Sequence, residues 1–507
     1  MRIKEVFTKA GVKPRRGQIE AAEAILERLI DNKSVAFIAP TGFGKTLTVL
    51  AALKAADRLP TVWRVRSLAL GTRISEDASL LSLRSFTAAG REKTCPLAEG
   101  KGSDVHEYCR NYRLSCKYFL ETDFSRQVTA SSWIDLLGLK GCPYYLQDKA
   151  MEGADVVIQS YYRRPPRFYR AVVWDEAHNL LVPKETCVTT SMLMEAAVEL
   201  KILGEEDLAG KLASIRPLDT GAFFVEERLL FRLYRAYMRM LAKGQGNTVT
   251  GKIYRVLSSE AVYWEAGRLC GTRLSIPWSR HPAIYVSATL VYPELLGVDE
   301  VVKITWNRKR EAVVTAWLST KYGQLEKYLE EYGYLLSALK FRFPRVLVFA
   351  TRRVASKLRH KIGLYEPEMK ALPREWSGIM LLHSRGRFAE GVDIRADAVV
   401  MLGAPYLPPY ASERVKKALQ RAGVEGDYVS ASMLSTTLQC IGRTTRGLND
   451  DPFIVLADRR YENYASQLSE YFKITVVSSL DEFIIFAKQK IRQKTKTHKD
   501  VVTNKNG

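Results

Sequence analysis

The stretch APTGFGKT at residues 39–46 ends in Gly44, Lys45 and Thr46. Glycines let backbone N–H groups turn toward an anion, a lysine meets the terminal phosphates of a nucleotide, and a threonine hydroxyl binds Mg2+. Thr41 and Gly42 lie in the same loop. The strict phosphate-loop pattern asks for glycine where this chain has Ala39, but an apolar run precedes the loop and helical spacing follows it. A partner acid pair comes at VVWDEAHNL, residues 172–180. An apolar strand there delivers Asp175 to a sheet's carboxyl end, where it can hold Mg2+, and Glu176 beside it can orient and deprotonate an attacking water. The chemistry these residues point to is hydrolysis of a nucleoside triphosphate.

Between the loop and the acid pair lie four of the chain's seven cysteines: Cys95, Cys109, Cys116 and Cys142. An odd number of cysteines in a long chain with no secretory leader pattern favours a metal site over disulfides. No C-x-x-C pair occurs, so a zinc ribbon or finger fits poorly. One straight helix over 109–116 would separate two thiols by about 10.5 Å along its axis. A bend or loop is therefore expected at 111–114. Cys187, Cys270 and Cys440 are scattered and read as buried small hydrophobes.

These residues need a scaffold. Apolar runs bounded by turns occur at 34–40, 155–160, 170–176 and 283–289, and a second series at 345–351, 378–384, 398–404, 453–458 and 473–479. Helical patterns separate them, which argues for α/β architecture with two parallel-sheet lobes. Two segments interrupt the first series: 87–150, rich in cysteines and aromatics, and 189–270, which reads as helical. The expected division is 1–86, 151–188 and 271–295 for the first lobe and 296–487 for the second. Residues 488–507 read as a frayed basic tail.

The 507 residues are 47% hydrophobic and carry a formal net charge of +22. That surplus suits a polyanion such as nucleic acid, or else a basic surface serving solubility. No apolar leader and no membrane-spanning run is present, so the protein is expected in the cytoplasm, or in the nucleus of a nucleated cell, without membrane contact. A nucleic-acid motor grips phosphates and stacks bases. The segments 159–170 and 231–240 mix aromatic rings with arginines. For the first, binding and packing read equally; for the second, tyrosines at helical spacing favour packing.

Further motifs complete a series. PRRGQ (14–18), VSATL (286–290), GRFAEGVDI (386–394) and QCIGRTTRG (439–447) stand in order around the loop and the acid pair. In this order the chain resembles the XPD/DinG-type iron–sulfur DNA helicases of superfamily two, over nearly its whole length. The resemblance implies two RecA-like lobes, with an iron–sulfur insertion (87–150) and a helical arch insertion (189–270) in the first. It implies ATP and Mg2+ at Gln18, Thr41, Gly42, Gly44, Lys45, Thr46 and Asp393, with Thr46 and Asp175 on the metal and Gln18 reading adenine. Lys45, Asp175, Glu176, Gln439, Arg443 and Arg446 would carry hydrolysis. The gap from Arg443 to Arg446 reads as one helix face.

The resemblance further implies a [4Fe–4S] cluster on Cys95, Cys109, Cys116 and Cys142. The implied activity is ATP-dependent 5′→3′ movement along single-stranded DNA with unwinding of forked or overhang duplexes. The alternative is a DNA-stimulated translocase that remodels protein–DNA complexes. VWRVRSLAL (62–70) matches the DNA-gripping motif loosely, with Arg66 and Ser67 expected on phosphates.

Overall fold

The computed structural model describes residues 2–275, 282–305, 309–388, 393–444 and 451–503. The chain divides into two units, the first formed by Met1–Thr305 with Glu413–Tyr428 and the second by the remainder. Residues 296–305, assigned above to the second lobe, thus lie in the first. The strand Glu300–Lys303 is the edge of its sheet, paired with Val35–Ile38.

The first sheet has seven parallel strands in the order Glu300–Lys303, Val35–Ile38, Ala283–Ser287, Ala171–Asp175, Thr61–Val65, Val156–Ser160 and Ser85–Ala88. Its inner strands are buried on both faces, which is why they read as continuous apolar runs. Ile25, Leu29, Leu50, Trp63, Ile158 and Val173 fill one side. Each such side chain contributes about 1.5–3 kcal/mol on burial. The second unit repeats the design, with strands in the order Leu364–Tyr365, Gly378–His383, Arg345–Ala350, Ala398–Leu402, Phe453–Ala457, Arg310–Thr315 and Phe472–Val477. Both lobes are RecA-like α/β units.

The two interruptions emerge from the first sheet. Residues 189–270 are mixed: helices Thr190–Ile202, Glu206–Ala213, Glu227–Ala242 and Val249–Leu257 pack on a four-stranded antiparallel sheet. Lys184–Val188 leads into this sheet and Arg268–Arg273 leads out, and the two pair antiparallel with Cys187 opposite Cys270. These cysteines form a disulfide, a correction to the reading of both as unlinked hydrophobes. Residues 83 apart in sequence become cross-strand neighbours, and no spacing pattern announces that. Cys440 is buried as expected.

The cysteine-rich segment is built of short helices: Arg91–Thr94, Ala98–Lys101, Val105–Tyr112, Lys117–Leu120 and Pro143–Glu152. The helix bearing Cys109 ends at Tyr112 and tightens into a 3-10 turn at Arg113–Ser115, the break expected between Cys109 and Cys116. Val105 is the one buried hydrophobic side chain across 91–135.

This segment is bolted to the arch. Fully buried Asp104 accepts hydrogen bonds from Tyr237 Oη (2.9 Å), Arg255 Nη1 (2.7 Å), Thr248 N (2.8 Å) and Thr248 Oγ1 (3.1 Å). The backbones meet at Gly246, where a Cβ would strike Lys101 Cα and Gly100 O. The last helix, Leu480–Thr503, continues through much of what the sequence suggested as a frayed tail. No helix among the described residues is long and apolar enough to cross a membrane.

Asp104→Ala should therefore cost about 3 kcal/mol, because it strands Arg255 and two hydroxyls together. Thermal unfolding should shift down, and amide exchange should rise at both 98–112 and 237–255.

Candidate nucleotide and nucleic-acid site

The loop after Val35–Ile38 is shaped by two left-handed glycines, Gly42 (φ 85°) and Gly44 (φ 92°). Gly44 also caps the Lys45–Ala55 helix, and a Cβ on it would run into Gln18 Nε2. Gln18 is buried. Its amide donates to Gly44 O (3.2 Å) and Thr48 Oγ1 (3.3 Å) and accepts from Arg15 N (2.6 Å). The Arg15 guanidinium donates to Gly42 O. PRRGQ therefore grips the phosphate loop itself.

Lys45 Nζ donates to Ala39 O (3.1 Å) and Pro40 O (3.3 Å). Burial pushes its pKa down while the charges of Glu176 and Asp175 pull it up, so lysine and acids share one electrostatic neighbourhood. Thr46 hydrogen-bonds Asp77 on the Gly71–Leu80 helix, a partner that the sequence did not single out.

Asp175 ends its strand with Oδ1 accepting from Glu176 N (3.0 Å) and Oδ2 from Trp63 Nε1 (3.5 Å). Desolvation first, then the charge of Glu176, lifts it to about 6, with Lys45 pulling the other way. Glu176 is left-handed (φ 52°) with its side chain 41% exposed. Its carbonyl accepts from Asn179 Nδ2 (2.9 Å) and Tyr161 Oη (3.1 Å). His178 Nδ1 lies 2.8 Å from Ser287 Oγ, and Ser287 O accepts from Ala39 N (3.1 Å). The serine of VSATL thus ties the acid turn to the phosphate loop. Tyr161 and Asn179 were missed as site residues, although both stand within stretches read for other reasons.

In the second unit, Gln439 lies on the Tyr428–Gly442 helix and Arg443 just past its end, both buried. The helix ends at Gly442, and the expected shared helix face for Arg443 and Arg446 lies outside the described residues. Arg446 and residues 389–392 lie outside the described residues. Asp393 is exposed, and Ile394 N donates to Arg443 O (3.0 Å), which brings the ends of the fifth and sixth motifs together.

The four cysteines of the insertion sense one another. Burial raises Cys95, with Cys109 and Cys116 adding and the Leu97 N–H opposing. Burial pushes Cys142 up to about 11, Tyr145 and Tyr144 N–H groups oppose, and Cys95 and Cys109 add. Tyr145 Oη is 3.7 Å from Cys109 Sγ. Four thiols within one field, met by N–H and O–H donors, fit the donor set of an iron–sulfur cluster, whose potential such hydrogen bonds tune. Glu185, Cys187 and Cys270 also cluster, but their two sulfurs are joined to each other.

The nucleic-acid candidates divide. In 159–170, Tyr161 and Arg163 are buried, while Tyr162 (62%) and Phe168 (65%) stand exposed beside exposed Arg164, Arg167 and Arg170. In 231–240, Tyr237 is buried as expected and Phe231 is exposed. Arg66 donates to Asn179 Oδ1 (2.5 Å).

Residues 11–192 match the family described as type III restriction enzyme, res subunit, and residues 365–475 match the helicase C-terminal domain. Over 89% of its length the chain is 24% identical to the ATP-dependent DNA helicase XPD of Sulfolobus acidocaldarius, covering 97% of that protein. A shorter stretch is 33% identical to the XPD/RAD3 helicase subunit of general transcription and DNA repair factor IIH from Saccharomyces cerevisiae, spanning 21% of this chain and 14% of that relative. A solved XPD helicase structure aligns with a TM-score of 0.70 and 21% identity, covering 92% of this chain and 100% of that one. S. tokodaii Xpd4 aligns at 0.57 and 16% over the same shares. In fold and motif order the chain is similar to the two-lobed helicases of superfamily two, and among them to the XPD type.

Asp175 supplies a pH test. A carboxyl raised to about 6 in the fold is charged and unfavourably buried above that pH, and protonated below it. Asp175→Asn should raise the melting temperature of magnesium-free protein by a few degrees at pH 8. The gain should shrink as pH falls through 6 toward 5.

Proposed function

We propose that the chain is an ATP-dependent DNA helicase that moves 5′→3′ on single-stranded DNA and opens forked or overhang duplexes in DNA repair or related processing. The observation that carries this reading is the shared field of Lys45, Asp175 and Glu176 at the carboxyl edge of the first sheet. Names of the relatives, ATP-dependent DNA helicase and DNA repair factor subunit, supply the substrate class.

In this reading Thr41, Gly42, Gly44, Lys45 and Thr46 cradle the triphosphate, and Gln18 couples the adenine side to the loop. Thr46 and Asp175 hold Mg2+, which neutralises charge on the β and γ oxygens. Glu176 aligns the attacking water and takes its proton. Gln439, Arg443 and Arg446 stabilise the transferring phosphoryl group, with Asp393 beside them by motif order. Residues 87–150 form an iron–sulfur module on Cys95, Cys109, Cys116 and Cys142, 189–270 the arch, and the lobes and basic tail lie as the sequence divides them, with 296–305 moved to the first lobe. Cluster binding would supply folding free energy to the stretch 91–135, where Val105 is the one buried hydrophobic side chain. A net charge of +22 and exposed Tyr162, Phe168, Arg164 and Arg167 suit a strand bound by stacking and phosphate neutralisation.

Lys45→Ala should abolish single-strand-stimulated ATP turnover, and retention of turnover refutes the site. Anaerobically purified protein should contain about four irons, and Cys109→Ser should lose them and lose duplex unwinding while keeping some ATPase. Strand displacement from a 5′ overhang but not a 3′ overhang checks polarity; displacement from neither, with DNA-stimulated turnover intact, favours the remodelling translocase.

A further inference from the structure

Glu176 holds a left-handed backbone (φ 52°) that a residue with a Cβ keeps only where its surroundings enforce it. The enforcement comes from beneath. Tyr161, buried against the strand end, donates its hydroxyl to the carbonyls of Asp175 and Glu176, the latter at 3.1 Å. Asn179 Nδ2 donates to the same Glu176 carbonyl at 2.9 Å, and Asn179 also hydrogen-bonds Tyr161. The other end of the Asn179 amide, Oδ1, accepts from Arg66 Nη1 at 2.5 Å. Arg66 follows the Thr61–Val65 strand, half-buried, with exposed Ser67 beside it.

An asparagine amide has an acceptor end and a donor end, and a guanidinium can only donate. Arg66 can therefore bind Asn179 in one orientation alone, with oxygen toward Arg66 and nitrogen toward Glu176. If Arg66 withdraws, the amide is released to turn, and the Glu176 carbonyl faces an oxygen or loses one of its three donors, keeping Tyr161 Oη and Asn179 N. A guanidinium is also a rigid fork, so a phosphate caught on one edge fixes where the other N–H groups point.

Resting on the DNA-motor reading above, we propose that Arg66 senses a nucleic-acid phosphate at the carboxyl edge of the first sheet and, through Asn179 and Tyr161, sets the position of Glu176. Arg66 is the sensor, and Asn179 and Tyr161 are positioning residues. The His178–Ser287 contact comes from the opposite neighbouring strand, and His178 Nδ1 also lies 3.4 Å from Glu176 Oε2, so that contact meets the Glu176 side chain while the Arg66 route meets its backbone.

The test uses the full chain and a single-stranded oligonucleotide, and compares ATP turnover with and without DNA. Asn179→Asp keeps an acceptor for Arg66 and the backbone N–H that reaches Glu176 O (2.9 Å), but has no side-chain N–H for that carbonyl. Its ratio of stimulated to basal turnover should fall about tenfold, within the range of ordinary coupling between sites. The loss should sit in kcat, with KM for ATP and oligonucleotide affinity within about twofold of wild type. Arg66→Gln, at a half-exposed position, should lower the ratio too. The double variant should fall no further than the worse single one, because both act along one line. Equal loss of turnover with and without DNA, an unchanged ratio in both variants, or additive losses overturns the relay alone. A wild-type protein whose turnover ignores DNA overturns the motor reading and the relay with it.

Discussion

Three parallel strands in fixed register carry the chemistry of the first unit. Ile38 pairs with Ser287, and Val286 pairs with Asp175, so the phosphate loop, the serine of VSATL and the acid turn leave adjacent strands at one edge. A slip of one residue in any of them would move every side chain to the opposite buried face, and the close packing of both faces opposes it. Everything else at the site follows from that lock. Ala39 reaches Ser287, Ser287 reaches His178, and Lys45 comes under the influence of both acids.

The electrostatics of this edge are strained in a useful direction. Asp175 is raised by desolvation and by Glu176, and Lys45 is lowered by burial, so both groups are held away from their preferred charge states. A magnesium–triphosphate bound as proposed would bring cation and anion to the same place and relieve the carboxylate and the ammonium together. The fold thereby keeps a site that favours its ligand over water at the cost of its own stability, and the all-buried strands around it supply the offset.

The insertions follow a different rule. The arch has its own core of Leu193, Leu200, Leu233, Met240 and Trp264, and its entry and exit strands are cross-linked. The cysteine-rich segment has little core between 91 and 135; it is anchored by Asp104 in a full set of arch donors on one side and by Leu136, Leu146 and Ala150 packed with Phe86 and Val157 on the other. A stretch so poor in buried apolar area relies on specific polar contacts for its order.

The phosphate loop, the acid pair, both strand series and the break after Cys109 could be read from the sequence, because each depends on local periodicity or on residues a few positions apart. Strands 61–65, 85–88 and 310–315 were not singled out as strands, since short runs bearing arginine, serine or threonine lack the apolar signature of a central strand. The disulfide, the grip of Gln18 on Gly44, and the Tyr161–Asn179–Arg66 cluster under Glu176 were decided by the tertiary structure alone. These contacts join residues between 15 and 113 positions apart. Sequence alone determines which groups are available and the local elements that carry them. Only the pairing of distant strands decides which of those groups meet, because hydrogen bonds and sulfur–sulfur bonds form over a few ångströms of space whatever the length of chain between them.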